Sequence, residues 1–297
     1  MSDRLDQNAI GWIDVDGIRT RYYEAGSGPP LVLLHGGEIG SLYSLDAWSL
    51  NLASLARDFR VIALDRIGQG WTDNPRAERY EPDMMLAHLR RSLELLDIDR
   101  ATIVGHSRGA LLGAWLVQHH PVHVGRLVLV DSRSTAPPDD RYPNDVFYER
   151  LGHRQRLLAG EVTEETVAAE PLAQSFDPSG VTADFIARML EIARLPKSAE
   201  ARERIRVDRD QVWLPRIYDL RAEVLARIEA DGLPVPTLVL WGRDDSSAPL
   251  PVGIELFERI AAQTRDVELH VLNQARHYCF RDRPIEFEAA VTAFARR

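Results

Sequence analysis

A serine between two glycines is the feature of the sequence that most directly indicates chemistry. Residues 105–109, Gly-His-Ser-Arg-Gly, fit the pattern Gly-x-Ser-x-Gly; an apolar segment precedes them and an amphipathic one follows. The glycines allow a sharp turn from a strand into a helix, which holds the serine hydroxyl clear of the sheet. The start of the helix favours the negative charge that develops there during acyl chemistry. This context predicts Ser107 as a nucleophile.

A serine hydroxyl needs a base that takes its proton, and the base needs a carboxylate that fixes its tautomer. Asp245 lies just after the apolar segment 237–241, and His277 follows the segment 267–272 after a short loop. The order Ser, Asp, His along the chain is that of the α/β-hydrolases. We therefore predict Asp245 as the acid and His277 as the base.

Two other aspartates compete with Asp245 for the place of the acid. Asp244 is its neighbour, and Asp131 follows an earlier apolar segment, a position from which some triads draw their carboxylate. We favour Asp245 because it begins the loop instead of ending a strand, whereas Asp244 suits a solvated or structural role.

Acyl chemistry also needs N–H donors that point at the developing oxyanion. The residue after the nucleophile, Arg108, offers one backbone amide. The second comes from the His35-Gly36-Gly37 run after an apolar segment, where glycines let the backbone approach substrate without a side chain in the way. We predict Gly37 as this donor.

No pattern in the sequence indicates a metal or a cofactor. Residues 119–123, His-His-Pro-Val-His, hold three histidines, but the proline breaks the helix that would align them, and no cysteine or carboxylate cluster adjoins. The glycines of residues 65–70 do not match a dinucleotide fingerprint, and residues 36–40 lack the Lys-Ser/Thr pair of a phosphate loop. We expect a protein without metal or cofactor and interpret residues 65–70 as a structural turn.

Strand and helix patterns alternate over most of the chain, so these residues must be positioned by a mainly parallel sheet. Two alternating segments joined across Asp16-Gly17 predict a hairpin, and six apolar segments predict buried strands. The predicted strands are residues 12–15, 19–23, 30–35, 60–65, 101–106, 127–131, 237–241 and 267–272, and the predicted helices are 83–96, 109–119, 251–262 and 284–295. The fold class predicted is α/β: an α/β-hydrolase fold with a mostly parallel eight-stranded sheet flanked by helices.

The alternation stops between residues 134 and 233, where only helical and turn patterns occur. We therefore predict a core in two parts, residues 1–133 and 234–297, and a helical lid formed by residues 134–233. We expect one or two lid arginines to face an anionic substrate and most to form a solvated helix face. The lid arginines considered are Arg188, Arg194, Arg202, Arg204, Arg206, Arg209 and Arg216.

Composition sets limits on partners. The chain has 297 residues with 36 basic and 45 acidic ones, a net charge of −9 that disfavours nucleic acid and anionic lipid. No apolar run approaches the ~20 residues of a membrane span. The polar start lacks a signal-peptide pattern, and the single cysteine, Cys279, forms no internal disulfide. We expect a cytoplasmic protein that acts on a small-molecule substrate, with a homodimer left open.

These motifs resemble the α/β-hydrolase superfamily over essentially the whole chain. Within it, residues 35–37, 241–245 and 272–278 look most like the meta-cleavage product hydrolases. That family cleaves a carbon–carbon bond in 2-hydroxy-6-oxo-hexa-2,4-dienoates produced by ring-opening dioxygenases. The resemblance implies a catalytic triad and two oxyanion donors at the positions already singled out: Ser107, Asp245, His277, Gly37 and Arg108.

Several positions depart from that family's pattern and bear on the substrate. The family usually has asparagine before the serine, tryptophan after the catalytic histidine and a further glycine after His-Gly-Gly. This chain has His106, Tyr278 and Glu38 at these three positions. In that family a lid arginine normally binds the dienoate carboxylate. The arginine nearest that position here, Arg188, is displaced by one residue, and one helical step turns a side chain by about 100°. Another arginine, Arg276, replaces a more usual glycine. The substrate-binding residues considered are Gly36, Glu38, His106, Arg188 and Tyr278.

The sequence therefore predicts a serine hydrolase with an apolar pocket under a lid, acting on the carbon–carbon bond of a ring-cleavage product. The departures leave a carboxylesterase or lactonase that acts on a small apolar ester as the alternative. An acyltransferase that uses the same serine and a non-catalytic small-molecule binder are further alternatives. Haloalkane dehalogenases and epoxide hydrolases are excluded, because they need a carboxylate where Ser107 stands.

Overall fold

The predicted strands form one eight-stranded sheet. The structure is a computed structural model that describes residues 3–139, 141 and 145–297. Its strands are β1 (Ile10–Val15), β2 (Ile18–Ala25), β3 (Pro30–Leu34), β4 (Arg60–Leu64), β5 (Ala101–His106), β6 (Val124–Val130), β7 (Thr237–Gly242) and β8 (Val267–Leu272). Each predicted strand is confirmed, with ends that differ by a few residues.

The strand order is β1-β2-β4-β3-β5-β6-β7-β8. Strands β1 and β2 form the predicted hairpin, with positive φ at Asp16 (53°) and Gly17 (88°), as a tight two-residue turn needs. The hairpin joins β4 in antiparallel fashion, and every pair from β4 to β8 is parallel. This confirms the mostly parallel sheet of the predicted fold class. It also places the carboxyl ends of β3, β5, β6, β7 and β8 along one edge.

Helices cover both faces of the sheet. The four predicted helices are present as α2 (Asp83–Leu95), α3 (Arg108–His119), α10 (Leu250–Ala261) and α12 (Pro284–Ala295). Two short helices were not predicted, α1 (Leu52–Leu55) and α11 (Cys279–Asp282). One apolar core packs α2, α3 and α10 on the sheet, and a second packs α1, α11 and α12 on the opposite face. None of the described helices is long and apolar enough to cross a membrane.

Between β6 and β7 the described residues form helices and turns with no strand. These helices are α4 (Asp145–Leu151), α5 (His153–Leu158), α6 (Glu164–Ala173), α7 (Ala183–Arg194), α8 (Pro196–Asp208) and α9 (Leu214–Asp231), with a π-helical turn, Arg209–Trp213, between the last two. Helix α9 packs on α3, and Gln118 Nε2 donates to Val224 O at 3.0 Å. That residues 134–233 act as a lid domain remains a prediction.

Candidate active site

Ser107 occupies a strained turn between β5 and α3. Its φ of 51° and ψ of −120° are unusual for a residue with a side chain. The flanking glycines make this turn fit, since a Cβ at Gly105 would lie 2.5 Å from Ala110 Cα and one at Gly109 2.3 Å from Leu34 O. The Ser107 N–H donates to Val130 O at 2.9 Å, which ties the turn to β6. The sheet thus holds the hydroxyl at its carboxyl edge.

Asp245 and His277 form a buried pair beside this turn. His277 Nδ1 lies 2.7 Å from Asp245 Oδ2, and both side chains are almost fully covered. The other carboxylate oxygen, Oδ1, accepts from Ser247 N (2.8 Å), Ser247 Oγ (2.9 Å) and Ala248 N (2.9 Å). His277 Nε2 has no hydrogen-bond partner among the described residues. This arrangement holds the proton on Nδ1 and leaves Nε2 as a base, as a serine triad requires.

The competing aspartates occupy other positions. Asp131 Oδ1 accepts from Gly242 N at 2.8 Å, so this side chain secures the end of β7 before the acid loop. Burial, followed by the charge of Asp245, raises the pKa of Asp131 well above its usual value. Asp244 is exposed, and its N–H donates to Ala275 O at 2.8 Å. Of the three aspartates, Asp245 makes the hydrogen bond to the candidate base.

The predicted oxyanion donors lie on the same cavity as Ser107 and His277. Gly37 has a φ of 81°, and a Cβ there would meet Ser41 Oγ at 2.2 Å. Arg108 is the first residue of α3, so its N–H has no partner within the helix. Both amides are suited to an oxyanion, and their role remains a prediction.

The turn at residues 65–70 braces the glycine run that holds the predicted oxyanion donor Gly37. Arg66 donates through Nη2 to Gly36 O and, at 2.9 Å, to Gly37 O, and Gln69 Nε2 donates to Gly36 O at 3.2 Å. Burial, followed by the nearby charge of Arg108, lowers the pKa of Arg66 to about 9. The turn is structural, as interpreted from the sequence, and its contacts fix the carbonyls of Gly36 and Gly37.

The cavity over Ser107 has a volume of about 550 Å³. Core loops supply its floor, and helices from residues 134–233 supply much of its wall. Among the described residues, seven arginines and four carboxylate side chains line it. Three of the arginines considered between residues 134 and 233 are among them: Arg202, Arg206 and Arg209. The expectation of an apolar pocket is therefore wrong, because charged groups from several helices converge on the space.

Three predicted substrate-binding residues lie behind the site instead of lining the cavity. Gly36 packs against the nucleophile, where a Cβ would approach Ser107 Cβ to 2.9 Å. His106 Nε2 lies 2.9 Å from His277 O, and burial, followed by His277, lowers the pKa of His106 well below its usual value. The Tyr278 N–H donates to Gln174 O at 3.1 Å, and its side chain is buried. These three residues thus lie behind the base and the nucleophile. The prediction that Gly36, His106 and Tyr278 contact the substrate is therefore corrected.

The prediction that Arg188 binds substrate is also corrected. Its guanidinium pairs with Asp46 at 2.9 Å and with Asp3 at 3.2 Å, and it does not belong to the cavity lining. These carboxylates satisfy the charge that the resemblance assigned to a substrate. Of the five predicted substrate-binding residues, Glu38 lines the cavity.

Sequence reasoning missed a polar network on the cavity wall. His153 Nε2 lies 2.9 Å from Glu170 Oε2, and the Tyr43 hydroxyl lies within hydrogen-bonding distance of two acceptors, Glu170 Oε1 (3.2 Å) and Gln174 Oε1 (2.9 Å). Burial works against the charged form of His153, yet its bond to Glu170 raises its pKa above the usual value. Tyr43 and Gln174 are 131 residues apart in the sequence. No local pattern relates such residues, so only the fold brings them together.

Known proteins resemble this chain along most of its length. The profile of the alpha/beta hydrolase fold family matches residues 29–284. A 2-hydroxymuconate semialdehyde hydrolase of Pseudomonas sp. (strain CF600) is 28% identical over 280 residues, 94% of this chain and 90% of the relative. A 2-hydroxy-6-oxononadienedioate/2-hydroxy-6-oxononatrienedioate hydrolase of Paraburkholderia xenovorans (strain LB400) is 27% identical over 286 residues, 93% of this chain and 90% of the relative.

A solved structure gives the same picture. The meta-cleavage product hydrolase from Pseudomonas fluorescens IP01 superposes with a TM-score of 0.75 at 26% identity, covering 97% of this chain and 98% of the other. The family profile covers most of the chain, and both the strand order and the serine turn after β5 agree with that assignment. The chain therefore belongs to the alpha/beta hydrolase fold family.

Proposed function

We propose that this protein is a serine hydrolase that cleaves a carbon–carbon bond in a 2-hydroxy-6-oxo-hexa-2,4-dienoate-type ring-cleavage product. The observation that carries the proposal is the buried pair of His277 Nδ1 and Asp245 Oδ2 at 2.7 Å, with His277 Nε2 unpartnered, beside Ser107 on one cavity. The activities named for the relatives, a semialdehyde hydrolase and a dienedioate hydrolase, support the reaction class.

In the proposed mechanism the dienol first tautomerises to the ketone, with His277 carrying the proton. Ser107 then attacks the carbonyl at carbon 6, or positions water for that attack, while His277 takes the proton and Asp245 holds the imidazole. The amides of Gly37 and Arg108 stabilise the oxyanion. Collapse of the adduct breaks the bond between carbons 5 and 6 and returns the proton to carbon 5. When Ser107 is the attacking group, the collapse leaves an acyl ester on Ser107, and water activated by His277 hydrolyses that ester, which frees the serine hydroxyl and supplies the second oxygen of the carboxylic acid product. When water attacks directly, it supplies that oxygen in the first step.

The charge of the cavity supports an anionic substrate over a small apolar ester. The excess of arginines over carboxylates among its described lining residues attracts a carboxylate and gains nothing from a neutral ester. The departures at His106 and Tyr278 lie behind the site, so they do not argue against a dienoate. A carboxylesterase or lactonase remains the second candidate, because the same serine chemistry would serve either bond.

The test is turnover of 2-hydroxy-6-oxo-6-phenylhexa-2,4-dienoate, followed through loss of its visible absorbance, beside a short-chain p-nitrophenyl ester. We expect rapid bleaching that Ser107→Ala lowers by several orders of magnitude. Serine-dependent ester turnover without bleaching would move the function to ester or lactone chemistry. Benzoate release that survives Ser107→Ala would remove the nucleophile assignment, whereas ketonisation alone also bleaches the dienol.

We propose two further properties, a cytoplasmic location and a small-molecule partner. A cytoplasmic location agrees with the single buried cysteine, Cys279, and the relatives' substrates indicate that the partner is a small molecule. A homodimer is left open, and sedimentation equilibrium of the purified chain decides it. Cell fractionation with an antibody to the protein tests the location.

A further inference from the structure

A second histidine–carboxylate pair lies on the wall of the cavity. His153 begins α5 and Glu170 lies on α6, and His153 Nε2 lies 2.9 Å from Glu170 Oε2. The two side chains are only 10% and 13% exposed, and both residues line the cavity that holds Ser107 and His277. The Tyr43 hydroxyl, 3.2 Å from Glu170 Oε1, ties the carboxylate to the loop after β3. We call His153 and Glu170 the second dyad.

The second dyad has the same bonding pattern as the pair of His277 and Asp245. In both pairs one imidazole nitrogen contacts a carboxylate oxygen, at 2.9 Å in the second dyad and at 2.7 Å in the other pair. In both pairs the remaining nitrogen is buried and has no hydrogen-bond partner among the described residues; it is Nδ1 in His153 and Nε2 in His277. One cavity therefore holds two histidines that each have a nitrogen left for a ligand.

The bond within the second dyad makes His153 Nδ1 a hydrogen-bond donor. Burial works against charge on Glu170, yet its hydrogen bond to His153 lowers its pKa below the usual value. The Tyr43 hydroxyl and the charge of His277 act in the same direction. Burial also works against charge on His153, and the same bond raises its pKa. These shifts favour the imidazolium–carboxylate form, in which both ring nitrogens carry a proton. A buried N–H without an acceptor is costly, and a ligand oxygen at Nδ1 removes that cost.

The proposed reaction develops negative charge at a second oxygen of the substrate. The amides of Gly37 and Arg108 are assigned to the oxygen at carbon 6. When the bond between carbons 5 and 6 breaks, its electron pair is shared between carbon 5 and, through the conjugated double bond, the oxygen at carbon 2. The same oxygen carries charge when the dienol loses its proton before ketonisation. A fixed donor at this oxygen therefore stabilises the transition states of both steps.

We propose that His153 is a further catalytic residue, whose Nδ1–H donates a hydrogen bond to the oxygen at carbon 2 of the substrate, with Glu170 as its counter-ion. The proposal rests on the proposed function, because in a dienoate this oxygen is conjugated to the bond that breaks. The second dyad carries no net charge, so it suits an oxygen with partial charge and leaves the substrate carboxylate to the arginines of the cavity. Hydrolysis of a simple ester by the same triad develops no charge at this place.

The kinetic test compares a carbon–carbon substrate with an ester that uses the same triad. His153→Gln keeps an N–H for Glu170 and removes the donor at Nδ1. It should lower kcat for benzoate release from 2-hydroxy-6-oxo-6-phenylhexa-2,4-dienoate about 100-fold, as the loss of an oxyanion donor does. Turnover of p-nitrophenyl acetate should stay within about threefold. The double variant His153→Gln/Glu170→Gln removes both charges together and should show the same selective loss if the single variant folds poorly. His270→Gln, exposed on β8 and outside the cavity, is the matched control.

A spectroscopic titration separates this proposal from the proposed function. The visible absorbance of the dienoate bound to Ser107→Ala, read by stopped flow before ketonisation, reports the ionisation of its enol and needs no cleavage. The bound enol should be about tenfold more acidic in Ser107→Ala than in Ser107→Ala/His153→Gln. This difference supports the role of the second dyad even if the wild-type chain cleaves no dienoate.

Three results overturn the proposal. If His153→Gln releases benzoate at the wild-type rate, or loses ester and dienoate turnover equally, the role of the second dyad fails while the proposed function stands. If the bound enol is equally acidic with and without the His153 side chain, the hydrogen bond to the oxygen at carbon 2 is absent. If Ser107→Ala does not bind the dienoate, both proposals fail.

Discussion

Replacing Asp245 with asparagine should disable the candidate base without changing the shape of the site. Oδ1 of Asp245 accepts three hydrogen bonds, from Ser247 N, Ser247 Oγ and Ala248 N. Two of these donors are backbone N–H groups that cannot turn around, so they hold the carboxamide oxygen of the variant on their side. The carboxamide NH₂ must then face His277 Nδ1, where Asp245 Oδ2 now lies at 2.7 Å.

A donor at that place favours the wrong imidazole tautomer. His277 Nδ1 must accept, so its proton moves to Nε2, and Nε2 can no longer take the proton of Ser107. A tautomer error of this kind in a serine triad costs about 10⁴ in kcat, or about 5.5 kcal/mol of transition-state stabilisation. The assay is the steady-state rate of dienoate bleaching at pH 7.5, beside a thermal melt that checks folding. We expect the melting temperature to change by only a few degrees.

Two neighbouring aspartates serve as controls for this prediction. Asp244→Asn changes an exposed side chain next to the acid, and Asp131→Asn changes a buried carboxyl bonded to Gly242 N. Both should retain kcat within about tenfold of the wild type, because Asp245 is the carboxylate that bonds to His277 Nδ1 in the described structure. The reasoning is refuted if Asp245→Asn keeps more than a tenth of the wild-type rate, or if Asp131→Asn has the larger effect.

Three further outcomes follow from the structure. Gly37→Ala should lower kcat/KM about 100-fold or more, because its Cβ would meet Ser41 Oγ and displace an oxyanion donor; dienoate kinetics measure this. Burial lowers the pKa of His88 to about 4, so the unfolded state binds a proton below pH 6.5 that the folded state refuses. Stability should therefore fall by about 3 kcal/mol between pH 7 and 4 through this group, and urea unfolding of His88→Gln should show a shallower pH dependence. Arg281→Met removes the 2.9 Å partner of Asp3, which keeps its ion pair with Arg188 at 3.2 Å, so the change should cost about 2 to 3 kcal/mol in urea unfolding at pH 7.

The sheet and the triad geometry were accessible from the sequence because both follow from local patterns. Apolar runs of strand length predict buried strands, and residues just after parallel strands must meet at one edge. Ser107 follows β5, Asp245 follows β7 and His277 follows β8, so their meeting needed no knowledge of side-chain packing. The start of β6 at Val124 instead of residue 127 was missed because Gly125 and Arg126 interrupt the apolar run.

The cavity was not accessible in the same way, because its character depends on contacts between distant segments. Arg188 looked like a substrate-binding residue until the fold brought Asp3, 185 residues away, against its guanidinium. Glu38, by contrast, pairs with Arg108 after the serine and with Arg154 and Arg209 from two separate segments between β6 and β7. The sequence shows that arginines are frequent between residues 134 and 233. It does not show which of them face inward, because the packing of the helices decides that.

The most direct test of carbon–carbon hydrolysis identifies the products of one dienoate in oxygen-18-labelled water by mass spectrometry. We predict two fragments from 2-hydroxy-6-oxo-6-phenylhexa-2,4-dienoate: benzoate that carries label in its carboxylate, and 2-hydroxypenta-2,4-dienoate. Ser107→Ala should leave the substrate skeleton intact over the same time. An unbroken skeleton with the active wild-type chain, recovered only as the keto tautomer, would contradict the proposed reaction.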